Sequence, residues 1–281
     1  MSVRISSDST CDLGSELIEK NDIGITPLYI VLGDKTLRDG IECTREDIFA
    51  YVQATGKPCS TSAVPVADYH AWFGEQLERY DSVVHFTISA EMSACCQNAC
   101  IAAEEFPGRV FVVDSRSLST GIGHLVLDAA ELARQGLDGR EIKAALDEKK
   151  QRLNVSFVLD TLTYLWKGGR CSGVAALGAN LLGLKPCIQV RDGVMGVDRK
   201  YRGSLKRCLT DYIRDRLEGR DDVDYSRIFI TDSGVDPALV RELEALLRQL
   251  GPFEEIINTQ SGCTISNHCG PRCLGILYYN K

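Results

Sequence analysis

No stretch of the sequence is apolar over the roughly 20 residues that a helix needs to cross a bilayer, and Met1 to Leu13 do not read as a secretory signal. A cytoplasmic location with no stable membrane insertion is therefore expected. Concentrated positive charge is missing too. The 32 Lys and Arg stand against 39 Asp and Glu, the formal net charge is −7, and the basic residues form no stripe. Nucleic-acid binding draws most of its affinity from neutralised phosphates, so no nucleic-acid partner is expected. An anionic membrane surface is disfavoured on the same ground.

Nucleotide-binding and hydrolase signatures are also lacking. Nothing matches the Gly-x-x-x-x-Gly-Lys-Ser/Thr loop that cradles phosphates, and Gly121-x-Gly123 stops short of the third glycine of a dinucleotide fingerprint. No Gly-x-Ser-x-Gly elbow occurs. The four histidines, His70, His85, His124 and His268, are far apart in the sequence. No ATP site and no cofactor are expected.

Cysteine, by contrast, is plentiful. Twelve cysteines without an export signal read as reduced thiols. Several lie in apolar runs, such as Pro186-Cys187-Ile188 and Ser93-Ala94-Cys95-Cys96, where a thiol behaves as a small hydrophobe. The 281 residues, 44% hydrophobic and 25% charged, suit a globular chain with two α/β lobes.

Strand and helix patterns alternate along the first half. Val3–Ser7 and Ile25–Leu32 read as strands, with a loop or hairpin at Asp34–Gly40. Thr44 reads as the N-cap of an amphipathic segment, and Val66–Tyr80 as a helix. Val83–Thr87 and Val110–Val113 read as short buried strands, each followed by a helix. This alternation predicts a parallel sheet flanked by helices. A charged helix over Gly139–Arg152 ends the first lobe, residues 1–153. The second lobe, residues 154–281, opens on the strand Val155–Leu159. It continues through the hairpin signal Arg191-Asp192-Gly193. Helices at Leu205–Glu218 and Pro237–Leu250 flank the strand Arg227–Thr231, and Leu274–Tyr279 is the last strand. The hairpin makes this second sheet mixed.

Three hydroxyl clusters stand out: Ser60-Thr61-Ser62, Thr87-Ile88-Ser89 with Ser93, and Ser115 through Thr120. Ser and Thr are preferred helix caps, and capping explains each cluster singly. Helix N-termini also attract anions, so capping and anion binding can coexist. Three consecutive strands are expected to deliver these hydroxyls and helix N-termini to the same sheet edge, where α/β proteins place ligands. Hydroxyls could then donate to an anionic group without adding a full charge.

Near the C-terminus, Cys263, His268, Cys269 and Cys273 could supply zinc ligands, although the paired Cys-x-x-Cys knuckle is missing. His268 also reads as a polar site residue. Arg170, after Gly168-Gly169, reads either as a solvated loop charge or as a group facing a phosphate or a partner.

Taken in order, these segments resemble the DegV family of bacterial fatty-acid-binding proteins. The likeness runs through Asp8-Ser9-Thr10-Cys11-Asp12-Leu13, Thr26-Pro27-Leu28, Asp39-Gly40, Thr61-Ser62 and Ile88-Ser89 with Ser93 and Gln97. It continues through Asp114-Ser115 with Ser119, Gly121 and Gly123, then Asp160-Thr161-Leu162, Tyr164-Leu165, Lys167 to Arg170, Lys185-Pro186 and His268-x-Gly270-Pro271. The resemblance implies two α/β lobes with a long-chain fatty acid between them and its tail in the N-terminal lobe. It implies that Thr61 and Ser93 hold the carboxylate, with Ser62 adjacent and His268 nearby. It further implies a separate ATP-dependent fatty acid kinase as partner, with Arg170 near the phosphorylated head or the kinase. The sequence departs from the family pattern at Ala63-Val64-Pro65, at Ala94-Cys95-Cys96 and at Arg272. Each buried methylene contributes about 0.8 kcal/mol and each charge-linked hydrogen bond roughly 1.5–3 kcal/mol, so a long tail would dominate affinity and hydroxyls would orient the head. Two other readings stay open: a hydrolase using Ser93 with His268 as base, and a Cys/His metal-binding protein.

Overall fold

The computed structural model of the chain describes residues 2–171 and 183–281. Strand β1 (Val3–Asp8) leads into a tight turn at Ser9–Cys11 and helix α1 (Ser15–Lys20). Strand β2 (Gly24–Thr26), strand β3 (Tyr29–Leu32), strand β4 (Lys35–Arg38) and helix α2 (Arg45–Thr55) follow. Next come β5 (Ser60–Ser62), α3 (Val66–Gln76), β6 (Ser82–Thr87), α4 (Cys95–Ala103) and β7 (Val110–Asp114). Helices α5 (Thr120–Arg134) and α6 (Gly139–Lys149) complete this half. The rest runs β8 (Leu153–Val158), α7 (Thr163–Gly168), β9 (Leu184–Arg191), β10 (Val194–Arg202), α8 (Leu205–Leu217) and β11 (Val223–Asp232). It ends with α9 (Pro237–Leu250), β12 (Glu255–Gln260), α10 (Cys263–Cys269) and β13 (Leu274–Asn280).

The protein is a mixed α/β fold. A four-stranded sheet in the order β2-β1-β6-β7 is parallel throughout. Every residue of β6 is buried, as expected for a strand covered on both faces. A six-stranded sheet has the order β10-β9-β8-β13-β11-β12, and only its β11–β12 pair is parallel. A small antiparallel sheet, β4-β3-β5, sits apart from both.

Helix α5 joins the two large sheets. Thr120 through Leu127 are all buried. The His124 ring stacks edge-on against Phe229 and Tyr279 of the six-stranded sheet, and its Nε2 pairs with the Leu277 carbonyl at 2.9 Å. The glycines of α5 permit this approach. A Cβ on Gly121 would lie 2.2 Å from Ser117 Oγ and 2.9 Å from Val155 Cγ2. One apolar cluster therefore runs from Ile5 and Val84 through Ile122 to Phe157 and Leu277. A second fills the far face of the six-stranded sheet beneath Tyr212 and Leu243. All twelve cysteines fall among the described residues, and Cys100 alone of them is exposed.

Several expectations need correction. Ile25–Leu32 is two strands in different sheets. Pro27 has no N–H to give a ladder, and the Leu28 amide donates to Ser9 Oγ at 3.1 Å instead. Ser60-Thr61-Ser62 caps no helix. It is β5, paired with β3, and α3 begins after Pro65 without a side-chain cap. Strand β12 and helix α10 carry no strong periodic signal and appear only in the structure. Thr44 does cap α2, in a reciprocal box with Asp47. Among the described residues, no helix is long and apolar enough to cross a membrane.

Helix α10 is held by carboxylates from the other end of the chain. Asp39 Oδ1 accepts from the Cys263 amide at 3.0 Å, and its Oδ2 accepts from the Thr264 amide at 3.1 Å and the Thr264 hydroxyl at 2.6 Å. Asp12 Oδ1 accepts from the Gly262 amide at 2.8 Å, while its Oδ2 takes the Ser119 hydroxyl. Both aspartates are buried. Replacing Asp39 with Ala leaves buried amides unpaired, and the Asp39→Ala protein is expected to lose about 3 kcal/mol of stability. Urea denaturation measures it; a change within experimental error would show that the cap is dispensable.

Candidate functional site

A cavity of about 340 Å3 opens where α10, β5 and the loop before α4 converge. Its walls are mainly apolar: Leu28, Ile88, Met92 and Leu118 from the first half, Met195 and Ile265 from the second. Thr61, Ser62, Ser93, Arg170 and His268 also line it. The structure thus brings together residues separated by more than 200 positions in the chain (His268 and Thr61 are 207 apart).

Each polar side chain arrives by a different route. Thr61 and Ser62 lie on β5, held by pairing to Ile30 and Tyr29 of β3. Ser93 stands just ahead of α4; its hydroxyl donates to Cys95 Sγ and accepts from the Cys95 amide, both at 3.3 Å. His268 is on the last turn of α10. Arg170 follows Gly169, whose φ of 67° turns the chain out of α7, and it is exposed at the cavity rim. Its Nη1 donates to the Gly168 carbonyl at 2.7 Å. Among the described residues lining the cavity, Arg170 is the single charged side chain.

His268 Nε2 pairs with Thr61 Oγ1 at 2.9 Å, while its Nδ1 is buried without a hydrogen-bond partner among the described residues. Gly168 packs directly against that side of the ring: a Cβ there would lie 2.3 Å from Nδ1. Burial, with a smaller push from Arg170, lowers the imidazole to about 4. The ring is therefore neutral near pH 7. With its proton on Nε2 it donates to the Thr61 oxygen, which leaves the Thr61 hydroxyl proton free to point into the cavity.

The third hydroxyl cluster does not reach the cavity. Ser119 is spent on Asp12, and Thr120 pairs with Thr231 of β11 at 2.6 Å. Only Leu118 of that segment lines the wall. The three clusters therefore do not meet at one sheet edge: the second and third follow strands of the parallel sheet, but the first is itself a strand of the small sheet. The other histidines stay away from the site. His85 and His124 are buried in the core, and His70 is on the surface. Among the described residues, no group of three or more His, Cys, Asp or Glu side chains is placed to hold a metal ion. Met195 and Thr264 line the site although nothing in their sequence context marked them.

Fold and cavity together define an α/β protein with a partly open, largely apolar cavity whose lining includes several uncharged hydroxyls. The chain belongs to the DegV family: the family model, described as an uncharacterised protein of the DegV family, matches residues 2–281. A DegV domain-containing protein of Deinococcus radiodurans is 31% identical over 278 residues, 98% of each chain. The structure of a DegV family protein from Thermus thermophilus, described for its fatty acid binding, superposes with a TM-score of 0.90 at 32% identity and full coverage of both chains. A stearic acid-binding protein from Eubacterium ventriosum superposes with a TM-score of 0.85 at 27% identity over 99% of this chain and 98% of its own.

The lowered His268 value has a testable consequence. In an NMR titration the His268 ring is expected to stay neutral on acidification until it titrates near about 4. The unfolded chain takes up this proton near 6.5, at higher pH than the native one, so the His268 contribution to stability weakens as pH falls between those values. A ring that titrates near its ordinary value would contradict the buried, neutral assignment.

Proposed function

We propose that this protein binds a long-chain fatty acid and presents its carboxyl group to a separate ATP-dependent kinase, which forms the acyl phosphate. The observation that carries this reading is the set of uncharged hydroxyls, Thr61, Ser62 and Ser93, in the lining of a largely apolar cavity. A carboxylate needs several donors when it leaves water. Thr61 and Ser93 supply them, Ser62 lies alongside, and neutral His268 orients the Thr61 proton. The tail rests against Leu28, Ile88, Met92 and Leu118 and extends into the N-terminal half. The binding of fatty acids by related DegV proteins supports the same ligand.

The protein acts as a carrier and not as a catalyst in this reading, and it uses no cofactor. A serine hydrolase is disfavoured by the hydrogen bonds. Ser93 pairs with Cys95, His268 pairs with Thr61, and no carboxylate orients the free side of the His268 ring among the described residues. Arg170 sits at the rim in water, where it can meet the incoming phosphoryl group or the kinase without the cost of burying a charge.

Protein purified from lipid-replete cells is expected to release a fatty acid on denaturation, seen by mass spectrometry. Each lost head-group hydrogen bond is worth roughly 1.5–3 kcal/mol, so Thr61→Ala combined with Ser93→Ala is expected to weaken binding by about a hundredfold or more. Displacement of a fluorescent fatty acid measures it, and an unchanged affinity in the double variant would remove the head-group assignment. Arg170→Glu is expected to lower kinase-dependent acyl-phosphate formation more than it lowers binding of the acid. Equal losses in the two assays would put Arg170 in the binding site alone.

A further inference from the structure

The hairpin of β9 and β10 outruns its sheet before it reaches its tip. Strand β8 pairs with β9 from Val158–Cys187 to Val155–Val190, and β10 is the edge strand. Among the described residues, the two strands therefore pair only with each other beyond Val190. A β-bulge between Val197 and Arg199 bends β10 just behind this segment. The projecting end carries Met195, which is buried and lines the cavity from the second half of the chain.

The first half of the chain holds the tip. Ser89 Oγ donates to the Gly193 carbonyl at 2.8 Å, and Arg116 Nη2 donates to the Asp192 carbonyl at 2.6 Å. Gly193 has a φ of 81°, and a Cβ there would lie 2.6 Å from Ser89 Oγ. Glycine is thus required both for the turn and for the contact. Ser89 and Gly193 are buried, so their hydrogen bond is shielded from water. Arg116 also approaches the Asp192 carboxylate to 3.8 Å, but these side chains are 40% and 89% exposed, and an exposed ion pair contributes little. The hold is therefore on the two carbonyls and not on the acid. The Cys171 thiol donates to the Met195 carbonyl at 3.5 Å, a weaker restraint because a thiol is a poor donor.

Both anchors belong to loops that build the cavity wall. Ser89 follows Ile88, and its carbonyl accepts from the amides of Met92 and Ser93 at 2.9 and 3.2 Å. Its own amide donates at 2.9 Å to the carbonyl of Ser117, which lies between Arg116 and Leu118. Ile88, Met92, Ser93 and Leu118 all line the cavity. The two hydrogen bonds thus tie the hairpin that brings Met195 to the loops that bring the facing residues.

We propose that the β9–β10 tip is a latch. Release of its carbonyls from Ser89 and Arg116 lets the hairpin bend at the bulge, withdraws Met195 and opens the cavity for exchange of its ligand. The ligand's being a fatty acid rests on the reading above; the latch itself does not. A latch has a kinetic signature that a fixed wall lacks. Its bonds do not touch the ligand, so weakening them eases opening of the empty and the loaded protein alike. Association and dissociation then quicken together and Kd is retained. Loosening a hairpin that served only as wall would quicken dissociation alone and weaken binding in proportion.

Stopped-flow uptake and release of a fluorescent fatty acid separate the two cases. In Arg116→Ala both rate constants are expected to rise about tenfold while Kd changes by less than about threefold, and Ser89→Ala is expected to behave alike. Arg116→Lys keeps a charged donor and Asp192→Asn keeps the carbonyl, so both are expected to stay near the parent rates. In the ligand-free protein, hydrogen exchange at Arg191 to Met195 is expected to quicken about tenfold in Arg116→Ala, with Val155 to Val158 unchanged. Unchanged exchange at the tip, or dissociation that quickens with a matching loss of affinity, would overturn the latch. An effect of Asp192→Asn as large as that of Arg116→Ala would overturn the assignment of the hold to the carbonyls. If the parent protein takes up no fatty-acid probe, the fatty-acid reading falls, and hydrogen exchange at the tip still decides the latch.

Discussion

The grip of Asp39 and Asp12 on the start of α10 is the interaction on which the rest of the site depends. Two side-chain carboxyl groups from the first forty residues accept the amides of Gly262, Cys263 and Thr264, with burial raising Asp12 to about 8. An unpaired buried carboxylate costs several kcal/mol, and so do the orphan amides of a buried helix start. Each defect removes the other, which makes the contact specific as well as stabilising. The other end of this short helix carries His268. Any slip of α10 would carry the imidazole away from Thr61, because one rigid turn separates the anchored amides from the ring.

In the fatty-acid reading proposed above, this arrangement would let the cavity take an anionic head without a cation installed beside an apolar chamber. A lysine or arginine inside the chamber would itself need a partner whenever the ligand was absent. Hydroxyls avoid that penalty because they can pair with neighbouring groups in the empty state. Ser93 does so with Cys95 and Thr61 with His268. The one charged residue on the lining, Arg170, stays at the rim in water. Burial keeps His268 neutral, so the ring contributes no positive charge of its own.

Much of the architecture was legible along the chain. The run Val83–Thr87 is apolar apart from His85 and the closing Thr87, and it lies within the fully buried β6. Thr44 with Asp47 signalled the start of α2, and Asp192-Gly193 signalled the hairpin of β9 and β10. The failures have local causes. Pro27 interrupts a run that otherwise reads as one strand, and the two pieces enter different sheets. Ser60-Thr61-Ser62 resembles a cap because Ser and Thr favour caps, yet pairing with β3 claims its backbone. Helix α10 was missed because its residues, Cys263 to Cys269, include few strong helix formers; the aspartates that hold it are more than 200 positions away.

The site shows the same division. Hydroxyl-rich segments, a polar site histidine and an arginine beside paired glycines could all be listed from residue types, and their order along the chain carried the likeness to a family. Which hydroxyls line the cavity could not. Ser119 and Thr120 looked as promising as Ser93, but they are consumed by Asp12 and Thr231. The sequence by itself determined the strand and helix periods, the supply of uncharged donors and the absence of nucleotide motifs, since these follow from local chemistry. Only the tertiary structure decided which of these hydroxyls line the cavity and which are consumed elsewhere, because that depends on hydrogen bonds and packing between residues far apart in the chain.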